Sequence, residues 1–287
     1  MPPRLTQARI EPTREVLVTD ELGHVSTLRV PIERALTLYV DKAEVVTLMT
    51  LGAHPEWLVI GYLLNQRLVE SVGQIESVTV DWQVGAAAVK TLDARPGAGL
   101  RDTGRIVTTG CGQGSMFADL LGQLAPLRDS PPATLRQSQL LQILDTVRLR
   151  DTVYKAAGSV HACALFEGER LQVFIEDVGR HNAVDSIAGW LALDESTRNP
   201  APVRTLYTTG RLTSEMIIKA AQMGVPIVVS RSGVTEMGLD VALEAGVCAI
   251  GRAINRRFLC YTHPERLIRD SAGQVAGAPR PPQPHPQ

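Results

Sequence analysis

Apolar and polar positions alternate through Leu36-Thr37-Leu38-Tyr39-Val40 and again through Glu44-Val45-Val46-Thr47-Leu48-Met49, which predicts two strands joined by a tight turn at Asp41-Lys42-Ala43. Beyond them His54-Pro55-Glu56 opens a helix, because Leu58, Val59, Tyr62 and Leu63 recur at helical spacing. Strands are predicted again over residues 75–82 and 84–92, with a short last one over 105–109. The first part of the chain reads as mixed α+β.

The proline pair in Ser130-Pro131-Pro132 breaks the pattern and predicts a linker. After it the periodicity is more regular: a helix over 138–154, strands over 160–166 and 171–175 hinged at Glu167-Gly168, helix 181–193, strand 204–207, helix 213–223, strand 225–230, helix 235–245 and strand 247–251. Alternation with short turns predicts a mostly parallel sheet covered by helices. The order helix, two strands, then repeated helix and strand resembles the cytidine deaminase-like architecture. We therefore expect an α/β protein: residues 1–130 a smaller N-terminal α+β domain carrying a cysteine loop, and 133–270 a cytidine deaminase-like three-layer α/β/α domain. Residues 271–287 are too rich in proline to fold alone and are expected to be disordered.

A chain of 287 residues suits two domains, and 29 basic against 30 acidic residues give a formal charge of -1. Such a balance does not point to a protein that coats nucleic acid or an anionic membrane. Four widely spaced cysteines fit a reducing compartment, and Met1-Pro2-Pro3-Arg4 leads into no apolar signal segment. No stretch approaches the roughly 18 uninterrupted apolar residues of a membrane span, so a soluble, cytoplasmic protein is expected.

The segment Arg105 to Met116 places Cys111 between Gly110 and Gly112, after a strand and before a helix that Ser115 can cap. Glycines give a partner room to approach, and a nearby helix N-terminus favours thiolate over thiol. A small apolar role in a tight turn is the alternative for Cys111. Cys163, Cys248 and Cys260 lie in apolar strand patterns, where a buried, inert role is expected. Glu176-Asp177-Val178-Gly179-Arg180-His181-Asn182 falls where a strand turns into a helix, the usual ligand crevice of open α/β sheets. There His181 either serves a site or caps the helix, and Asp177 can pair locally with Arg180. Arg211, in the turn before Thr213-Ser214-Glu215, would reinforce an anion site at a helix start. Arg252, Arg256 and Arg257, in the run Arg252-Ala253-Ile254-Asn255-Arg256-Arg257, fall just beyond a predicted strand and could fork onto a diphosphate or form a solvated loop. Phosphate-loop, dinucleotide and zinc-helix signatures are missing, and the turns at Arg180 and Gly210 lack the glutamate and cysteines of a zinc deaminase.

Together these segments resemble the FdhD family of formate dehydrogenase accessory sulfurtransferases. The resemblance is carried by Glu56 to Leu64, the Cys111 loop, Gly158-Ser159-Val160-His161-Ala162, Glu176 to Asp185, Thr209 to Met216 with Lys219-Ala220, and Phe258 through Tyr261-Thr262-His263-Pro264-Glu265-Arg266. It implies a cytoplasmic homodimer that takes sulfur from a cysteine desulfurase as a persulfide on Cys111 and passes it to the molybdenum bis(molybdopterin guanine dinucleotide) cofactor of a formate dehydrogenase. It also implies that residues 252–257 hold that cofactor; we expect Arg180, His181 and Arg211 to hold it with them, and no intrinsic metal. The family loop usually reads C-G-x-C-G; here Gly114 replaces the second cysteine, so a C-x-x-C disulfide is unavailable within the loop. A single persulfide relay remains chemically sufficient. A non-catalytic chaperone for the same cofactor is the competing expectation.

Overall fold

The computed structural model describes residues 2–93, 106–107, 127, 133–194 and 203–270. The chain opens with β1 (Arg4–Leu5), then a hairpin of β2 (Thr13–Thr19) and β3 (Val25–Pro31) that forms a separate two-stranded ribbon. That ribbon has no counterpart in the sequence reading, since Leu17 and Leu28 on it are exposed and leave no buried-face rhythm. Next come β4 (Arg34–Val40), β5 (Ala43–Thr50), α1 (Pro55–Asn65), β6 (Ile75–Asp81), β7 (Ala86–Thr91) and β8 (Ile106–Val107), the predicted elements within a few residues. They build one six-stranded sheet in the order β1-β6-β7-β4-β5-β8. Leu36, Leu38, Val46 and Leu48 bury one face of it against Leu58, Val59, Tyr62 and Leu63 of α1.

The rest of the chain forms β9 (Leu135–Arg136), α2 (Gln137–Leu149), α3 (Val153–Ala157), β10 (His161–Glu167), β11 (Arg170–Asp177), α4 (Arg180–Leu193), β12 (Arg204–Thr208), α5 (Ser214–Gln222), β13 (Ile227–Ser230), α6 (Glu236–Ala245), β14 (Cys248–Ile254), β15 (Arg257–Cys260) and β16 (Leu267–Ile268). A second six-stranded sheet runs β11-β10-β12-β13-β14-β15. Successive strand residues face opposite ways. Cys163, Leu165 and Val228 thus pack with α4, α5 and α6, whereas Ala164, Phe166 and Val229 pack with Leu140, Ile143 and Leu144 of α2.

Three expectations change. The second sheet is mixed: β12, β13 and β14 are parallel, but β10, β11 and β15 join antiparallel. The single helix expected over 138–154 is two, because Arg150 turns extended and Thr152 accepts a hydrogen bond from the Lys155 amide to start α3. Residues 252–257 are not a loop after the strand but part of a hairpin: β14 runs on to Ile254 and returns in β15. The expected linker at residues 130–132 and the tail 271–287 lie outside the described residues. Among the described residues no helix is long and apolar enough to cross a membrane.

The two sheets are joined where α1 crosses α4. A Cβ on Gly61 would sit 1.7 Å from the Asp185 carbonyl oxygen, and one on Gly189 1.9 Å from the Trp57 carbonyl oxygen, so each helix needs glycine at the crossing. Beside it Asn65 donates to Asp185 Oδ1 at 2.6 Å.

Candidate functional site

The turn from β11 into α4 is anchored from below. Asp177 accepts hydrogen bonds from Thr50 Oγ1 (2.5 Å), the Leu51 amide (3.2 Å), the Gly179 amide (3.3 Å) and Asn182 Nδ2 (2.9 Å), and Asn182 also donates to the Met49 carbonyl. Burial pushes the Asp177 carboxyl up to about 6, with those hydrogen bonds opposing the shift. Asp177 therefore ties the turn to the end of β5, and the local pairing with Arg180 considered from sequence does not form.

Above that anchor two turns meet. Arg180 opens α4, and its stem lies against Gly210, where a Cβ would come within 2.7 Å of Arg180 Cδ. Arg211 follows directly and is exposed. The Arg180 Nε is buried and, among the described residues, has no hydrogen-bond partner. Burial and the neighbouring Arg211 charge hold the Arg180 guanidinium below its usual value, and burial with the same two arginines lowers His161. The site is thus a cationic notch with an unsatisfied donor, which suits an anionic group.

His181 lies between that notch and a buried charge network. Its Nε2 faces Glu215 Oε2 at 3.4 Å without hydrogen-bond geometry, and burial together with Lys219, Arg180 and His161 pushes its pKa down to about 3 despite Glu215. Lys219 Nζ lies 2.9 Å from Asp185 Oδ2 and 3.4 Å from Glu215 Oε1. Burial alone would lower Lys219, but Asp185 and Glu215 outweigh it and raise the ammonium above its usual value. Burial raises Asp185 against the pull of Lys219. With contacts this short we take the pair as an ion pair whose second carboxylate oxygen Asn65 satisfies. His181 therefore stands neutral between the Lys219–Glu215 charge network and the notch residues Arg180 and His161.

Ala253, Ile254 and Asn255 line a cavity of about 270 Å³ on the α2 side of the second sheet. Its other walls include Tyr207, Thr209, Arg231 and Lys155, with Glu176 beside them. Both Glu176 oxygens are engaged, accepting from the Val153 and Tyr154 amides at 2.6 and 2.9 Å. Arg148 also lines the cavity but pairs with Asp145, so Lys155 and Arg231 set its charge. Thr209 joins cavity to notch: its hydroxyl accepts from the Ala162 amide at 3.0 Å and lies 3.4 Å from His161 Nδ1. Ser230 donates to the Gly210 carbonyl (2.6 Å) and Ser232 to the Thr209 carbonyl (2.9 Å), which fixes the turns after β12 and β13 together.

The residues singled out from sequence thus divide into groups. Arg180 and Arg211 meet at the notch, His181 belongs to the ion network, and residues 253–255 wall the cavity. Arg252, Arg256 and Arg257 are exposed and do not line it. Cys111 lies outside the described residues. Cys163 is buried and its thiol is pushed up to about 12 by burial, in keeping with an inert role, but Cys260 is only half-buried. Sequence reasoning missed Arg231, although its place just after β13 was a usable signal. Asp185 and Lys219 received no role because their pairing across two helices is invisible along the chain.

The FdhD/NarQ family model matches residues 31–268. A protein named sulfur carrier protein FdhD from Bacillus subtilis (strain 168) is 31% identical over 261 residues, spanning 86% of this chain and 94% of its own. A protein of the same name from Bacillus licheniformis is 31% identical over 236 residues, spanning 82% and 88%. A crystal structure assigned as a formate dehydrogenase accessory protein from Desulfotalea psychrophila superposes with a TM-score of 0.70 at 25% identity, covering 89% of this chain and 98% of that one. With the match running from the end of β3 to β16 and the relatives covered almost end to end, the chain belongs to the FdhD/NarQ family.

Proposed function

We propose that this chain is a sulfur carrier that serves a formate dehydrogenase, taking sulfane sulfur from a cysteine desulfurase onto Cys111 and passing it to molybdenum bis(molybdopterin guanine dinucleotide) as substrate. The observation that carries the reading is the pairing of a cationic notch, whose Arg180 Nε has no partner among the described residues, and an adjoining cavity lined by residues 253–255 and Arg231. A nucleotide end of the cofactor fits such a pair chemically: the notch offers guanidinium donors to phosphate, and the cavity has apolar walls for a base. The relatives named sulfur carrier protein FdhD support the sulfur chemistry. On this reading Arg180 and Arg211 contact phosphate, Thr209 and His161 line the passage between notch and cavity, and Cys111 is the nucleophile. The protein works as a homodimer in the cytoplasm, with residues 1–130 and 133–270 as its two domains. The order β11-β10-β12-β13-β14, with β10 antiparallel to β12, supports a cytidine deaminase-like second domain.

The second reading is a chaperone that holds the cofactor without transferring sulfur; Gly114 in place of a second loop cysteine favours it. Complementation of a strain lacking this protein separates the two. Under sulfur transfer, Cys111→Ala abolishes formate dehydrogenase activity while the variant still binds guanosine diphosphate. Full activity from Cys111→Ala would overturn the carrier reading in favour of the chaperone.

A further inference from the structure

Cys248 and Cys260 sit on neighbouring strands, both on the face that packs against α2, with their sulfurs 3.7 Å apart. In the antiparallel register Ile250 faces Cys260, so Cys248 is its diagonal neighbour, a placement from which side chains on one face reach each other. A disulfide bond of about 2.0 Å needs these sulfurs to close by less than about 2 Å. The strand that would move, β15, is at the sheet edge, and its ladder with β14 is interrupted between Gly251 and Ile254.

The two thiols differ in the way an attacking and a resolving thiol differ. Cys260 is half-buried, whereas Cys248 is fully buried. The hydrogen bond between them holds Cys260 below the usual thiol value, and the same bond, with burial, raises Cys248. Cys260, the more accessible of the two, is therefore the attacking thiol and Cys248 the resolving one.

We propose that Cys248 and Cys260 form a reversible dithiol–disulfide couple that closes across the β14–β15 hairpin when the chain meets a low-molecular-weight disulfide. The Cys260 thiolate attacks one sulfur of the reagent, breaking its S–S bond and releasing one thiolate. Cys248 gives its proton to that thiolate and attacks Cys260 Sγ in the mixed disulfide, releasing the second. Two electrons pass from the protein to the reagent, which leaves as two thiols, and a dithiol reductant reverses the exchange. The closed ring contains residues 252–257, so the disulfide pins the segment whose Ala253, Ile254 and Asn255 wall the cavity. This couple is independent of sulfur transport by Cys111.

The test uses the full chain carrying Cys111→Ala, which removes the remaining reactive loop thiol. Oxidised glutathione is added, free thiols are alkylated, and digests are read by mass spectrometry alongside hydrogen exchange. The expected result is a linked Cys248–Cys260 peptide, lighter by two hydrogens and restored by dithiothreitol, with exchange at residues 252–257 slowed roughly tenfold or more. Adding Cys248→Ser should halt the reaction at a glutathione adduct on Cys260, and adding Cys260→Ser should remove both linkage and slowing. A glutathione adduct on Cys260 that persists with Cys248 intact overturns the couple, and this parent-protein result holds even if a serine variant folds poorly. Linkage with unchanged exchange overturns the pinning of the cavity wall.

Discussion

Single residues decide how charge is carried inside this molecule. Lys219 is buried with Asp185 and Glu215, so Lys219→Met leaves the Asp185 carboxylate with Asn65 as its remaining side-chain partner among the described residues. The expected cost is about 3 to 5 kcal/mol in urea unfolding, and a loss below about 1 kcal/mol would show that Asp185 is not held as a buried anion. His181 gives a second prediction. Its folded-state pKa of about 3 lies below the unfolded value of 6.5, so the unfolded chain binds a proton first as pH falls. Its contribution is intact above about pH 6.5 and is lost progressively toward pH 3, amounting to roughly 4 to 5 kcal/mol. His181→Gln should flatten the acid side of the stability profile, and an unchanged slope would mean that the imidazole protonates freely in the folded protein. The importance of His181 was visible in sequence from its place after a strand, but its role was not. Glu215 and Lys219, a full turn apart on α5, neutralise each other's freedom to serve a ligand, and only the fold brings Asp185 to them.

At the scale of elements, the crossing of α1 and α4 carries the joint between the sheets. Gly61→Ala or Gly189→Ala drives a methyl group into a backbone carbonyl that cannot retreat without moving a whole helix. Each should destabilise the protein by about 3 kcal/mol or more in chemical denaturation, and a neutral alanine would contradict the close crossing. Elements with a buried face were legible in the sequence: β4, β5, α1 and β11 alternate or repeat as their packing requires, and β10, buried on both faces, reads as a continuous apolar run. Elements set by distant partners were not. α3 starts where Glu176, on β11, accepts the Val153 and Tyr154 amides, and nothing near Thr152 announces that. The apolar strand pattern around Cys260 is part of β15, but the hairpin with β14 was not legible, because its edge position leaves Arg257 and Leu259 exposed and the turn before it uses left-handed Asn255.

For the whole molecule, the two sheets are positioned so that Asp177, on the second, is held by Thr50 and Leu51 at the end of the first. The cationic notch therefore sits on a rigid base shared by both halves, and β8 brings the chain leading to Cys111 alongside β5 of that base. Arg180→Ala should weaken guanosine diphosphate binding at least about tenfold in calorimetry while leaving the melting temperature nearly unchanged, since the side chain makes no hydrogen bond through Nε among the described residues. Equal affinity in the variant would remove the notch from the binding site. The central claim concerns sulfur rather than nucleotide, and intact-mass spectrometry after incubation with a cysteine desulfurase and cysteine tests it most directly. The account predicts the gain of one sulfur atom, mapped to Cys111, lost on reduction and absent from Cys111→Ala. No gain, or a gain that persists on another cysteine in the Cys111→Ala protein, would contradict it.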